Sequence, residues 1–260
     1  MNEWSAEVAE EARGRLLADC QRMKNLLAGL LDSHGRVADE VHAIRKLGKS
    51  LRGGLSLFRL ESTATREIQA IGRLLSGPRD AVSRQSTWRK LEWNADEATA
   101  AAISGLLELY VQSAARRPPQ AAVDWCLTRV EEARSSLEVM PPDGLPGRME
   151  EGIKKLRKKL RRRAKRLDHR AEEDFHEARK AVKAWLGAMA LLPEGVVEAL
   201  PLCQELAEIL GDENDLATLS GWLEVHGFTD HFAPDLWHQI ATRRLELQKH
   251  AVQKAKALSE

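Results

Sequence analysis

The feature that most limits what this chain can become is a spacing of cationic residues that occurs twice. The pattern H-x-x-R-K-x-x-K lies in DEVHAIRKLGKSLRGGLSLFRL, Asp39 to Leu60, and again in DFHEARKAVKAWLGAMALL, Asp174 to Leu192. In the first stretch His42, Arg45, Lys46, Lys49 and Arg52 fall at offsets 0, 3, 4, 7 and 10. At 3.6 residues per turn they share one helix face about 120° wide. Val41, Ile44, Leu47, Leu51, Leu55 and Phe58 take the opposite face. In the second stretch His176, Arg179, Lys180 and Lys183 repeat the spacing, against the apolar set Phe175, Ala178, Val182, Trp185 and Met189. Each pattern predicts a helix with one side in a core and a row of positive charge on the other, a side chain every about 5 Å along the axis. Such a row suits a linear polyanion.

The copies are 134 residues apart, from His42 to His176. A turn signal follows each: Leu75-Ser-Gly-Pro-Arg-Asp80 in the first and Leu210-Gly-Asp-Glu-Asn-Asp215 in the second, 38 and 39 residues after the respective histidine. One cationic helix alone reads as a solvated face, but two in phase with matching downstream signals indicate an internal duplication. The shortage of acidic partners points the same way. Between Arg45 and Arg59 there are five bases and no acid, whereas surface helices usually mix signs.

These residues resemble the CHAD domain, the conserved histidine α-helical domain: the H-x-x-R-K-x-x-K helix, its repetition and the L-G-x-x-N-D type of turn occur in the family's order, over roughly Arg15 to Gln248. The resemblance implies two pseudo-symmetric helical bundles around a basic groove, binding of inorganic polyphosphate, and targeting to polyphosphate granules. The second copy departs from the first, with Leu186 in place of Arg52 and Asn214 in place of Arg79. The halves are therefore expected to contribute unequally.

The chain has 260 residues, enough for a double-size domain with an ample core. With 30% charged and 43% hydrophobic residues it reads as globular. Net charge is only +1, so any polyanion site must come from segregated charge rather than from a basic chain overall. The run from Lys154 to Arg166 supplies such segregation, with ten Lys or Arg and no acid. It admits a nucleic-acid or localisation reading, or a plain exposed face; the reading preferred here turns its flank Arg157, Arg161 and Lys165, spaced by four, toward the same anion. Cys20, Cys126 and Cys203 are odd in number and in no C-x-x-C spacing, which predicts neither disulfides nor a structural zinc and fits a reducing cytoplasm. The first twenty residues carry too many acids for a signal peptide, and no apolar run is long enough for a membrane span, so no membrane partner is expected.

Helical periodicity runs from end to end, and an all-α fold follows. Segments are expected over Ser5 to Leu31, closed by Ser33-His-Gly35; Asp39 to Leu60; a link at Glu61 to Thr65 and a helix to Leu75, interrupted at Gly77-Pro78, with Asp80 as an N-cap; on to Trp93; Asp96 to Ala115; and Pro118 to about Met140. Three prolines and two glycines in residues 141–147 mark the boundary between a first half, 1–140, and a second half, 148–260. Beyond it come Arg148 to Arg170, Asp174 to Leu192, Glu194 to Leu210, Glu213 to Val225 and Pro234 to about Leu258.

Other chemistry finds less support. His42 and His176 have no further ligand at metal spacing on their cationic faces, and neighbouring cations would repel a divalent ion, so no metal or cofactor is expected. His226 and His231, with Asp230 between them, read as incidental. Asp80, Asp212 and Asp215 invite a magnesium-assisted phosphohydrolase reading, but serve more simply as helix caps or tethers for motif Lys and Arg. Seven tryptophans at mostly apolar helical positions read as core rather than as base-stacking platforms, so nucleic acid is not the expected ligand. The expectation is a non-enzymatic, cytoplasmic module binding inorganic polyphosphate through His42, Arg45, Lys46, Lys49, Arg52, Arg79, Arg157, Arg161, Lys165, His176, Arg179, Lys180 and Lys183. The alternatives are a metal-assisted phosphohydrolase and a basic scaffold for nucleic acid or acidic protein.

Overall fold

The computed structural model describes residues 4–31, 37–60, 64–93, 95–114, 117–167, 171–193 and 200–258, apart from the side chains of residues 78 and 79. Ten α-helices fill this range: α1 (Ala6–Gly29), α2 (Val37–Leu57), α3 (Ala64–Leu74), α4 (Ser76–Leu91), α5 (Glu97–Ala114), α6 (Gln120–Glu138), α7 (Leu145–Arg166), α8 (Glu172–Met189), α9 (Leu200–Val225) and α10 (Pro234–Ala257). Among the described residues there is no strand, and no helix is long and apolar enough to cross a membrane. The expected helix ends at Ser33 to Gly35, at Glu61 to Thr63, at Asp168 to Arg170 and from Glu194 lie outside the described residues.

The helices form where the apolar spacing demands. Ser5 caps α1, its hydroxyl accepting the Val8 N–H at 3.2 Å. The stripe Ala9, Ala12, Leu16, Cys20, Met23 and Leu27 is then buried. All six residues expected on the inner face of α2, Val41 through Phe58, are buried, as are the five expected on α8. At about 2 kcal/mol for each large apolar side chain, these faces fix both helices in the core. α2 stops because Arg59 takes the left-handed conformation (φ 62°) and Leu60 N–H returns to Leu55 O at 2.9 Å. The Arg59 guanidinium also pairs with Glu151 of α7.

α2 is the hub, packing on α1, α3, α4, α7 and, most extensively, α8. The α2–α8 crossing is backbone on backbone. A Cβ on Gly53 would lie 2.6 Å from Ala184 O and 2.7 Å from Ala188 N, and one on Gly187 would lie 3.1 Å from Ser50 Cα. Gly53 and Gly187 are each eleven residues beyond their motif histidine, and Ser50 and Ala184 each eight. Positions that match in the two motifs thus meet reciprocally. Where α7 crosses the end of α2, Gly152 is tighter still, its absent Cβ falling 1.9 Å from Leu57 O.

Two apolar cores result, and each draws on both sequence halves. The larger gathers α1, α2, α3, α6, α7 and α8 with parts of α9 and α10. The smaller joins Trp88, Leu91 and Trp93 after and within α4, and Ile103 and Leu107 of α5, to Leu216, Leu219, Trp222 and Leu223 of α9 and Leu236, Ile240 and Leu247 of α10. Residues 141–147 pass through one 3-10 turn, Pro142–Gly144, and then enter α7, where Pro146 occupies the first turn at no hydrogen-bond cost. All three cysteines are free and buried, and burial pushes the Cys20 thiol up to about 12.

Both turn expectations change. The break between α3 and α4 falls at Leu75, ahead of Gly77 and Pro78, which belong to the first turn of α4. Asp80 is therefore inside a helix and not its N-cap. After the second motif there is no turn: α9 runs unbroken through Gly211-Asp-Glu-Asn-Asp215. Its buried series Cys203, Leu206, Leu210, Glu213, Leu216 and Leu219 keeps helical phase across the glycine, and packing along that face outweighs the roughly 1 kcal/mol that glycine costs.

Candidate anion-binding site

The cationic face of α2 opens onto a cleft of about 360 Å³ between α2, α3 and the start of α4. Its floor is apolar, from Met23, Ile44, Ile68 and Ile71, and its polar lining includes Arg45, Lys49, Arg52, Arg73 and Asp80. Arg45 is held in place, donating to Gly72 O at 2.6 Å and to Asp80 Oδ1 at 3.3 Å. The expected tethering role of Asp80 is thus met, by an acid within α4. Arg52 is in a different position. Its own burial, and then the charges of Arg45 and Arg73, pull its pKa below the ordinary arginine value. Arginine keeps its proton in proteins, so a strained guanidinium of this kind is relieved by an anion rather than by deprotonation. His42 and Lys46 are exposed on α2, and the side chain of Arg79 lies outside the described residues.

The cationic face of α8 opens onto a second cleft of about 580 Å³, between α8 and α9. Arg179 and Lys183 line it with Leu186, Gln204, Ala207, Glu208, Gly211, Asp212 and Asp215. His176 is exposed, its Nδ1 3.2 Å from Asn214 Oδ1. Lys180 donates to Glu177 at 2.8 Å, and Glu177 also takes Arg163 of α7 at 2.9 Å. The Lys180 hydrogen bond, aided by the charges of Lys180, Arg163 and Lys159, holds the Glu177 carboxyl below its usual range. α4 touches both clefts, since Asp80 lines the first and Ser83 Oγ donates to Asp215 Oδ2 at 3.4 Å.

The family model of the CHAD domain matches residues 16–224. This chain belongs to the CHAD domain family. The crystal structure of the CHAD domain from the plant Ricinus communis superposes on it with a TM-score of 0.66, covering 97% of this chain and 91% of that one at 17% identity. That likeness establishes the shared fold. No curated protein matches the sequence.

Within this CHAD domain eight of the predicted residues divide into three groups, while His42, Lys46, His176 and Lys180 are exposed on the motif helices and line neither cleft. Arg45, Lys49 and Arg52 converge on one cleft, and Arg179 and Lys183 on another. Arg157, Arg161 and Lys165 are exposed on α7 and line neither cleft. Arg73 was not anticipated. It is a single arginine in the last turn of α3, and only the packing of α3 on α2 brings it beside Arg52. The acids Glu177 and Glu208 were also missed, although placing the two motif stretches position by position would have singled them out; Asp212, weighed as a cap or tether, lines the α8 cleft. Among the described residues no group of three or more His, Cys, Asp or Glu is gathered as a metal set. His226 is held in an aromatic cluster, stacked 4.2 Å from Trp222 and hydrogen-bonded to Tyr110 Oη at 2.7 Å.

Proposed function

We propose that this CHAD domain is a non-enzymatic module that binds inorganic polyphosphate through the cationic residues presented by its motif helices. The observation that carries the reading is Arg52, partly buried beside Arg45 and Arg73 in a cleft of about 360 Å³. Three guanidiniums and the Lys49 ammonium around one apolar floor favour a ligand with closely spaced negative oxygens. Arginine forks grip phosphate oxygens in pairs, and lysine adds point charge. A phosphate chain without bases suits the site, because no aromatic side chain is among the described residues that line either cleft, so there is no platform for stacking a base. Asp80 acts here as a tether for Arg45, and phosphate is bound without being cleaved. A cytoplasmic location in association with polyphosphate granules accords with this reading.

The test is a titration of the whole chain with long-chain polyphosphate at two salt concentrations, with single-stranded RNA as competitor and phosphate release followed in the presence of magnesium. Binding should weaken steeply with salt through lost counterion release, resist RNA, and release no phosphate. Lys49→Ala combined with Lys183→Ala should weaken it at least tenfold. Indifference to salt and to both substitutions would refute the reading. Phosphate release would favour a hydrolase, and equal displacement by RNA would favour a generic basic scaffold.

A further inference from the structure

The two clefts occupy equivalent places on the two motif helices, yet their charge is opposite. Counting the described lining residues, the α2 cleft has four cations and one carboxylate, a formal +3. The α8 cleft has two cations and three carboxylates, a formal −1.

The correspondence can be followed residue by residue. Arg45, Lys49, Gln69, Gly72 and Asp80 have the counterparts Arg179, Lys183, Gln204, Ala207 and Asp215, at a separation of 134 residues on the motif helix and 135 beyond it. The frame of the cleft is therefore the same. Where the charge differs, it differs in one direction. Leu186 replaces Arg52, Glu208 replaces Arg73 and Asp212 replaces Gly77. Beside the cleft, Glu177 stands where the first copy has Ala43 and already engages Lys180 and Arg163. Every one of these changes lowers the positive charge. A neutral drift of surface residues would scatter in sign.

We infer that anion binding in this chain is one-sided: the α2 cleft holds the phosphate run, and Glu208 and Asp212, with Leu186, act as specificity residues that keep phosphate out of the α8 cleft. The inference rests on the polyphosphate reading and adds the footprint to it. Carboxylates facing the cleft repel an incoming phosphate and offer Arg179 and Lys183 internal counter-charges, so an anion gains little there. From Arg45 to Arg52 the cationic row covers about 10 Å of helix axis. A short polyphosphate, enough to fill that length, should bind nearly as well as a long one. With four cations engaged, the salt slope should be about −3, taking about 0.7 per contact as for single strands.

The experiment titrates the full chain with inorganic polyphosphates of graded length over a salt series, using the wild type, Lys49→Ala, Lys183→Ala and the double variant Leu186→Arg/Glu208→Arg. Thermal unfolding is recorded for each. Glu208 is exposed and Leu186 half-buried, so the double variant is expected to fold. Affinity should level off at short chain length, and Lys49→Ala should cost at least five times more affinity than Lys183→Ala. The double variant should gain tenfold or more for long chains only, with the slope steepening toward about −5 as two to three further contacts form. Equal losses from Lys49→Ala and Lys183→Ala, or a double variant with unchanged slope, would overturn the one-sided inference while leaving polyphosphate binding intact. A wild type that binds no polyphosphate of any length would instead remove the functional reading and the inference together.

Discussion

Gly53→Ala is the sharpest test of how the two motif helices meet. Helix propensity alone favours the change by about 1 kcal/mol, because alanine is the better helix former. The crossing opposes it. The new methyl would lie 2.6 Å from Ala184 O, 2.7 Å from Ala188 N and 2.8 Å from Gly187 C, where ordinary contact begins near 3.4 Å. All three are backbone atoms, which cannot rotate aside, so α2 and α8 must part by about 0.8 Å over their most extensive interface. Overpacking of this kind costs typically about 1–3 kcal/mol, and a rigid backbone wall places this case at or beyond the upper end. The net expectation is a loss of about 2 kcal/mol, or roughly 4 °C in Tm for a chain of this length. Gly105→Ala is the matched control, since Gly105 is in the interior of α5 with nothing within 4 Å of its added Cβ. It should gain up to about 1 kcal/mol. Chemical denaturation of both variants followed by helical circular dichroism measures the difference. If Gly53→Ala were as stable as Gly105→Ala, the close crossing of α2 and α8 would be wrong.

Two further outcomes follow from charged groups away from the clefts. Glu213 is buried on α9 and accepts from Arg244 at 2.8 and 3.0 Å and from Gln248 at 3.0 Å, so Arg244→Ala should destabilise by about 3 kcal/mol by leaving a buried carboxylate short of its cation. The pair Arg244→Met/Glu213→Leu should recover most of that loss in the same denaturation assay; no recovery would assign the cost to packing. The Glu131 carboxyl is held down to about 2, first by its hydrogen bond from Arg134 and then by that from Lys24 across α1 and α6. A depressed carboxylate stabilises fully above its unfolded value near 4.5 and loses that contribution as pH falls toward 2. At a side chain 38% exposed this amounts to under about 1 kcal/mol, read as a shallower acid limb for Glu131→Gln between pH 5 and 2, and an unchanged limb would refute it.

The sequence carried the fold further than it carried the site. Inner-face residues such as Ile44, Leu55 and Trp185 were legible because helical phase alone determines which side of a helix is apolar. The break assigned near Gly211 failed for a related reason. Gly-Asp-Glu-Asn has the composition of a turn, but the apolar series through Leu210, Glu213 and Leu216 continues across it, and the buried Glu213 hid that continuity by being acidic. In the site, Arg45, Lys49 and Arg52 could be found by spacing along one helix, whereas Arg73 could not, because its place depends on how α3 lies against α2. The run on α7 shows the limit of charge counting. Ten cations in a row announce a basic helix, but not which neighbours Arg157, Arg161 and Lys165 will face.

The smaller core also bears on how the protein is made. Trp88, Ile103 and Leu107 leave the ribosome well before Leu216, Leu223 and Leu236, the residues that cover them. Through the synthesis of α6, α7 and α8 this apolar surface of α4 and α5 waits without its partners, whatever the progress of the larger core. Vectorial folding can therefore be completed only when α9 and α10 emerge, and a nascent chain stalled near residue 193 would expose a tryptophan-bearing surface of the kind chaperones recognise.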